Sequence, residues 1–323
     1  MLLDSVIIVL GFIGLIWGAD KFVFGASGLA RNLGVSPLMI GLTIVAFGTS
    51  APEIFSSAVS AMEGQPELAI GNALGSNLFN VGVALGVAAI ISPLKPPESL
   101  ISKEIPALLL VTLATGALLA DLYLGVFDAI VLVAITAYFG YSLFRKRVKT
   151  GTVVEIEETD ITEINSVQAV AYLALGLALL VLSAEALVQA ASSIAQSLGV
   201  STAIIGLTIV ALGTSLPELA ASVTCVLKGH HDLAIGNIVG SNILNLLVVL
   251  PFPGLLSAGL IERELFYRDF SGVLILTLLL AYFCYRGIKR DLMIGRANGF
   301  IFLSIYGGWF TFMLMHVQRT AGL

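Results

Sequence analysis

The sequence has few charged residues. Asp, Glu, Lys and Arg together make up 11% of its 323 residues, whereas soluble domains carry about 25%. Hydrophobic residues account for 58% of the chain, and its mean hydropathy is +1.01. This composition excludes an ordinary soluble domain and indicates a polytopic protein embedded in the lipid bilayer.

Cysteine and histidine are also scarce. Cys225 and Cys284 both fall in predicted helices and cannot define a disulfide framework. The three histidines lie at segment ends without ligand spacing, and the chain lacks a Gly-rich nucleotide loop with lysine, which argues against a nucleotide-driven pump. We expect no enzymatic activity, no cofactor, no nucleic-acid partner and no obligatory protein partner.

Long hydrophobic runs dominate the remaining sequence. A membrane-spanning helix needs about 20 apolar residues, and ten segments satisfy this requirement. They are centred on 5–29, 36–62, 67–91, 104–120, 123–144, 167–196, 201–227, 232–257, 270–286 and 297–315. The first segment contains Asp20 and Lys21 and lacks a signal-peptide cleavage pattern, so we expect it to be retained. The predicted fold class is an all-α polytopic membrane protein with ten transmembrane helices.

The chain contains an internal repeat. Residues 36–80 and 201–245 align at a constant offset of 165 without a gap, and 24 of the 45 positions are identical. The same offset relates Asp20 to Glu185, so we expect the duplicated unit to comprise five helices. Because five is odd, the second copy must enter the membrane inverted, as in many secondary transporters. The predicted domains are a first five-helix repeat at 1–144, a linker at 145–166 and a second, inverted repeat at 167–323.

The basic residues are distributed unevenly between the predicted loops. If the N-terminus lies outside, the inside segments hold 12 of the 16 Lys and Arg residues. The positive-inside rule therefore predicts that both termini lie outside and that the 145–166 linker is cytoplasmic. We expect a multi-pass protein of the plasma (inner) membrane.

A polar motif interrupts one hydrophobic segment of each repeat. Residues 41–53 read GLTIVAFGTSAPE, and residues 206–218 read GLTIVALGTSLPE. Each copy ends in a glutamate, Glu53 or Glu218, within a segment of membrane-spanning length. A charge at the bilayer centre costs on the order of 3 kcal/mol and is retained mainly for function. We therefore favour a functional role for both glutamates.

Hydroxyl groups and a proline accompany each glutamate. Thr49 and Ser50 lie about one helical turn before Glu53, on the stripe that also contains Ala46. Pro52 lacks an amide hydrogen and should open the helix, which would free backbone carbonyls as cation ligands. The equivalent residues of the second repeat are Ala211, Thr214, Ser215 and Pro217.

The following helix of each repeat carries a second polar stripe. Residues 71–80 read GNALGSNLFN, and residues 236–245 read GNIVGSNILN. Ser76 and Asn80 lie one helical turn apart, and their equivalents are Ser241 and Asn245. The Gly-xxx-Gly spacing also favours close helix packing. Carboxylate, hydroxyl, amide and carbonyl oxygens are ligands that hard cations such as Ca²⁺ and Na⁺ prefer.

Together, the doubled motifs resemble the alpha repeats of the sodium/calcium exchanger family, in its compact prokaryotic form. The resemblance covers the whole chain and implies a Na⁺/Ca²⁺ antiporter that works by alternating access. It implies cation sites between the second, third, seventh and eighth helices, with long first and sixth helices that slide. The transported ions would be Ca²⁺ and Na⁺. The implied metal ligands are Glu53, Glu218, Thr49, Ser50, Ser76, Asn80, Thr214, Ser215, Ser241, Asn245 and the carbonyls of Ala46 and Ala211.

The asparagines mark a departure from some members of that family. Potassium-dependent and certain archaeal members have aspartate at one of the positions held here by Asn80 and Asn245. Two carboxylates instead of three argue against potassium cotransport. A proton-coupled cation exchanger that uses the same glutamates stays open as an alternative. A channel with uncoupled flux or a non-transporting membrane scaffold is a second alternative, and the paired intramembrane glutamates argue against the scaffold.

Overall fold

The computed structural model describes the backbone of residues 1–149, 164–200 and 205–321. Most of the predicted linker, residues 150–163, lies outside the described residues. The described chain is almost entirely helical. In chain order, the main helices are α1 Leu2–Leu33, α2 Pro37–Thr49, α3 Ala51–Met62, α4 Pro66–Ile91, α5 Leu100–Leu119, α6 Val126–Lys149, α7 Ser166–Ser197, α8 Leu216–Leu227, α9 His231–Leu256, α10 Leu265–Arg290 and α11 Arg296–Ala321. A short helical segment, Gly206–Val210 followed by Ala211–Gly213, precedes α8.

Helix length and composition confirm a polytopic, all-helical membrane protein. In the described part of the chain, seven helices are long and apolar enough to cross a membrane, and the bent pair α2 and α3 makes an eighth. Two further apolar helical segments, Val126–Ser142 within α6 and Leu216–Leu227 in α8, accompany them. The expected number of ten spans thus exceeds what length and hydropathy alone support.

One predicted boundary differs clearly from the structure. α6 continues to Lys149, so residues 145–149, which were expected to belong to the linker, are helical. A helix can extend beyond the hydrocarbon layer into water, where polar residues carry no penalty. A hydropathy pattern detects the apolar part of such a helix and misses its last turn.

Two short strands join loops that are distant in sequence. β1, Tyr123–Leu124, follows α5, and β2, Gly259–Leu260, follows α9. The strands pair antiparallel, with Tyr123 opposite Leu260. A second bridge pairs Leu94, after α4, with Ile294, before α11. These contacts connect the N-terminal and C-terminal halves of the chain.

The helices α1 and α7 pack against each other as a long pair. Each contains 32 residues and is therefore about 48 Å long, more than the roughly 30 Å of bilayer hydrocarbon. A Cβ atom at Gly11 would lie 2.7 Å from Leu187 Cγ, and one at Gly25 would lie 2.6 Å from the Ala169 carbonyl oxygen. Early residues of α1 thus meet late residues of α7, so the helices run antiparallel.

Both long helices end at equivalent glycines. Gly34 follows α1 with φ 61°, and Gly199 follows the end of α7 with φ 84°. Glycine adopts this left-handed conformation without the steric cost that a Cβ atom imposes. Each glycine therefore ends its long helix.

The helices α4 and α9 form the centre of the molecule. In their apolar windows, 72% and 89% of residues are buried, against 22% and 28% in α1 and α7. α2 crosses α9 at backbone contact, because a Cβ atom at Gly41 would lie 2.6 Å from the Leu233 carbonyl oxygen. At Gly236 it would lie 2.5 Å from the Leu38 carbonyl oxygen. The polar stripes thus lie in the protein interior.

The backbone is irregular in and next to the repeated polar motifs. The axes of α2 and α3 meet at 45°, and Ser50 between them has φ −83° and ψ 4°. Pro52 lies in the first turn of α3, where its missing amide hydrogen removes no helical bond. π-helical turns, which are frequent at functional sites, occur at equivalent positions of both repeats. They span Gly41–Val45, Asn80–Leu85, Gly206–Val210 and Asn245–Val249.

The glycine contacts of α1 and α7 predict a position-specific loss of stability. A Cβ atom at Gly176 would contact the Phe22 amide nitrogen and lie 2.7 Å from the Gly18 carbonyl oxygen. We expect Gly176→Leu to destabilise the protein by about 1–3 kcal/mol, visible as a lower melting temperature in detergent. Gly140→Leu is the control, since no described atom lies within 4 Å of its Cβ position. Equal melting temperatures of the two variants would contradict the packing.

Candidate cation site

Two glutamates form the centre of the candidate site. Glu53 and Glu218 are both buried, with 0% and 1% exposure. Each lies in the first turn of a 12-residue helix, Glu53 in α3 and Glu218 in α8. The positive end of the helix dipole favours a negative charge at this position. The helix starts therefore help to hold two carboxylates inside the protein.

Serine hydroxyls cross between the repeats to reach these carboxylates. Ser50 Oγ donates a hydrogen bond to Glu218 Oε1 at 3.1 Å. Ser215 Oγ, its equivalent at the offset of 165, donates to Glu53 Oε1 at 3.0 Å. Each repeat thus supplies a hydroxyl to the glutamate of the other.

Two further predicted ligands, Ser76 and Thr49, lie near the glutamates, and Ser76 contacts Glu53 directly. Ser76 Oγ donates to Glu53 Oε1 at 3.3 Å and lies 3.1 Å from Ser215 Oγ. Thr49 Oγ1 donates to Asn237 Oδ1 at 3.1 Å. All these atoms are buried, so α2, α3, α4 and the start of α8 contribute oxygens to one polar interior region.

The carbonyl oxygen of Ala46 is not freed by the helix break. It accepts the Ser50 amide at 3.0 Å and lies 3.4 Å from Thr49 Oγ1. The chain keeps its helical turn through Thr49 and bends only at Ser50. In the second repeat, Ala211 begins the short helix Ala211–Gly213, which Thr214 follows. The side chain of Ala211 lies outside the described residues.

The amides of Asn80 and Asn245 face the opposite central helix. Asn80 Nδ2 donates to Asn242 Oδ1 at 3.1 Å, and Asn245 Nδ2 donates to Asn77 Oδ1 at 3.0 Å. Both residues begin a π-helical turn and are fully buried, as is Ser241. The predicted amide and hydroxyl oxygens of α4 and α9 therefore lie in the interior with the glutamates.

Several buried oxygens of this group accept no hydrogen bond from any described residue. Leaving a buried acceptor unsatisfied costs about 1–3 kcal/mol. A cluster of such acceptors therefore indicates a site where a ligand binds. No three His, Cys, Asp or Glu side chains cluster within the described chain. Two carboxylates with neutral oxygens suit Na⁺ or Ca²⁺. The oxygens are Glu53 Oε2, Glu218 Oε2, Asn80 Oδ1, Asn245 Oδ1 and Ser241 Oγ.

Six buried or half-buried polar residues of the site were not predicted as candidates. Asn72 Nδ2 donates to the Glu53 carbonyl oxygen at 3.2 Å and to Ser57 Oγ at 2.9 Å. All six residues form pairs of identical residues at the offset of 165, and this identity is the sequence signal that could have identified them. Spacing from the glutamates did not single them out, because their contacts form only in the folded protein. They are Ser57, Asn72, Asn77, Ser222, Asn237 and Asn242.

Two acidic residues that the offset relates lie apart from this group. Asp20 forms ion pairs with Lys228 Nζ at 2.5 Å and Lys21 Nζ at 3.4 Å. Glu185 is exposed and accepts a hydrogen bond from Gln189 Nε2 at 3.2 Å. These contacts indicate a structural role for both residues.

Comparison with known proteins gives a consistent match over the chain. A family model described as "Sodium/calcium exchanger protein" matches residues 4–146 and 168–315. The putative antiporter CaxA of Alkalimonas amylolytica is 41% identical over 319 residues, which cover 96% of this chain and 98% of CaxA. The inner membrane protein YrbG of Escherichia coli is 35% identical over 322 residues, 98% of this chain and 97% of YrbG.

Solved structures show the same architecture. A structure of the sodium-calcium exchanger NCX_Mj, soaked with 10 mM Na⁺ and zero Ca²⁺, has a TM-score of 0.81 at 35% sequence identity. The match covers 94% of this chain and 97% of that chain. The helical arrangement described above is thus similar to one that has been determined experimentally.

The buried carboxylates predict a specific loss of cation binding. We expect Glu53→Gln and Glu218→Gln each to weaken Ca²⁺ binding at least about tenfold, because one unit of charge leaves the site. Isothermal titration of the detergent-solubilised protein measures this change. Glu185→Gln is the matched control at an exposed glutamate and should bind Ca²⁺ normally. Unchanged binding in the two site variants would refute the assignment.

Proposed function

The chain belongs to the sodium/calcium exchanger family, and we propose that it is a secondary active Na⁺/Ca²⁺ antiporter that works by alternating access. The family consists of transporters, not enzymes, and its substrates are Na⁺ and Ca²⁺. The observation that carries the proposal is the buried pair Glu53 and Glu218, each hydrogen-bonded by a serine of the other repeat. A site shared in this way responds to movement of either repeat.

The proposed architecture consists of ten transmembrane helices in two inverted repeats, 1–144 and 167–323, joined by the 145–166 linker. The antiparallel packing of α1 and α7 supports it, because these are the first helices of the two repeats. The loop contacts support it as well. The loop after α4 meets the loop before α11, and the loop after α9 meets the loop before α6, which are equivalent contacts with the repeats exchanged.

The proposed orientation has both termini outside and the linker in the cytoplasm. The loop contacts agree with this topology, since Leu94 and Ile294 both lie on its cytoplasmic side. Lys95 Nζ, next to this bridge, lies 3.0 Å from Asp291 Oδ1. One relative is named an inner membrane protein, which supports the proposed location in the plasma (inner) membrane. The proposal includes the lipid bilayer as surroundings and no obligatory protein partner.

The proposed ligands combine two charges with neutral oxygens. The unsatisfied carboxylate oxygens of Glu53 and Glu218 would bind Ca²⁺ most strongly, because they carry the charge. The hydroxyl and amide oxygens around them would complete the coordination sphere of Ca²⁺ or of Na⁺. The full proposed set is Ala46, Thr49, Ser50, Glu53, Ser76, Asn80, Ala211, Thr214, Ser215, Glu218, Ser241 and Asn245.

Charge balance accounts for coupled exchange in this mechanism. With both glutamates ionised, the empty site carries a charge of −2, which one Ca²⁺ or two Na⁺ neutralise. Ca²⁺ and Na⁺ therefore compete for the same carboxylates. Closing the empty site would bury two uncompensated charges at a cost of roughly 5–7 kcal/mol. This penalty suppresses return of the empty carrier and favours exchange over uncoupled flux.

The proposed activity predicts Ca²⁺ uptake driven by a Na⁺ gradient. Proteoliposomes loaded with Na⁺ and diluted into Na⁺-free buffer should accumulate ⁴⁵Ca²⁺, because exit of Na⁺ drives entry of Ca²⁺ through the same site. Glu53→Gln and Glu218→Gln should abolish the uptake, whereas Glu185→Gln should preserve it. Ca²⁺ uptake that is independent of the Na⁺ gradient but requires a pH gradient would instead identify a proton-coupled exchanger.

The charge argument also predicts behaviour of the neutral site. The double variant Glu53→Gln, Glu218→Gln should change conformation without bound ions, because the energetic penalty of two buried charges is gone. Cysteine labels on the two sides of the membrane would report inward and outward accessibility in ion-free buffer. The mechanism would be contradicted if, in ion-free buffer, the double variant changed between the inward and outward conformations as little as the unsubstituted protein does.

A further inference from the structure

Two buried asparagines next to the site have contacts that fit neither coordination nor simple packing. Asn77 and Asn242 are equivalent at the offset of 165, and each is 1% exposed. Each lies three residues before a proposed ligand, Asn80 or Asn245, and so on the same side of its helix. The side chains of all four asparagines meet where α4 crosses α9.

The hydrogen bonds between these residues cross from one repeat to the other. Asn245 Nδ2 donates to Asn77 Oδ1 at 3.0 Å, and Asn80 Nδ2 donates to Asn242 Oδ1 at 3.1 Å. Asn77 Nδ2 donates in turn to the main-chain oxygen of Asn242 at 3.2 Å. Asn77 is thereby held by α9 at both ends of its amide. We call this four-residue arrangement the amide clasp.

The clasp decides which end of each ligand amide is available to a cation. An asparagine amide presents an oxygen at one end and an NH₂ group at the other, and only the oxygen can bind Na⁺ or Ca²⁺. In Asn80 and Asn245 the NH₂ group is occupied by the clasp. The oxygen of each has no hydrogen-bond donor among the described residues. The oxygen ends are therefore the ones left for an ion.

We propose that Asn77 and Asn242 are positioning residues, which set the affinity of the cation site by directing the oxygens of Asn245 and Asn80 toward the ion. This proposal rests on the proposed function, since it assigns Asn80 and Asn245 as ligands. Without the clasp, each ligand amide can rotate and turn its NH₂ group toward the cation. Asn77, held at both ends of its amide, acts on Asn245. Asn242 contacts Asn80 through Oδ1 alone, and its Nδ2 has no partner among the described residues; both contacts cross the boundary between the repeats.

The alternative is that the asparagines only join α4 to α9, as polar residues do in many membrane proteins. A double-mutant cycle separates the two roles. If Asn77 acts through Asn245, Asn77→Leu should weaken Ca²⁺ binding about tenfold, the effect of losing one well-directed ligand. In a protein that already carries Asn245→Ala, the same substitution should change binding less than about twofold.

Asn80 provides the matched control for this cycle. Asn77 and Asn80 share one helix, but the hydrogen bonds of Asn77 lead to α9. Because Asn77 bonds only the main chain of Asn242, the partner of Asn80, coupling between Asn77→Leu and Asn80→Ala should be clearly smaller than coupling between Asn77→Leu and Asn245→Ala. Isothermal titration measures binding of Ca²⁺, Sr²⁺ and Na⁺ to each variant. The melting temperature of the ion-free protein reports helix packing separately.

The outcomes distinguish the clasp from the antiport proposal. Independent effects of Asn77→Leu and Asn245→Ala, or unchanged binding in folded Asn77→Leu, would overturn the clasp. Should Asn77→Leu fail to fold, the equivalent cycle of Asn242→Leu with Asn80→Ala gives the same decision. Coupling in cation binding without Na⁺-driven uptake would support the clasp and refute antiport. Absence of binding of all three cations by the unsubstituted protein would overturn both.

Discussion

The structure depends on keeping two carboxylates inside a membrane protein. Glu53 and Glu218 have 0% and 1% exposure, and a charge in this position is costly unless partners surround it. Partners come from both repeats: Ser76 of the first repeat and Ser215 of the second donate to Glu53, and Ser50 of the first repeat donates to Glu218. Each glutamate thus receives a hydroxyl from the opposite repeat, which links the duplication to the burial of the site.

The surrounding helices make this arrangement sterically possible. Glycines let α2 approach α9 at backbone contact, with Gly41 and Gly236 facing the partner main chain. The bend at Ser50 directs the first turn of α3, and with it Glu53, toward the interior. The long pair α1 and α7 packs in the same way but stays largely outside the core. Glycines thus allow close contact between helix backbones, as small residues do in many membrane proteins.

Much of this organisation was predictable, and the failures have physical causes. Hydropathy predicted a polytopic helical protein, and the repeated motif predicted which glutamates are buried. The last turn of α6 was missed because it carries no apolar pattern. The residue at which α2 bends was not predictable, since it depends on the neighbouring helices; the Ala46 carbonyl accepts the Ser50 amide because the helical turn continues to Thr49. Asn77 and Asn242 were passed over because their partners lie on another helix.

The sequence by itself determined the membrane class, the duplication and the chemical types of the proposed ligands. These properties follow from composition and local spacing, which do not depend on how distant segments meet. Only the tertiary structure decided that Ser50 donates a hydrogen bond to Glu218 instead of Glu53, and that Asn245 donates to Asn77. Hydrogen bonds of this kind join residues 162–168 positions apart. Their geometry arises when the two repeats pack together and bury their polar stripes against each other.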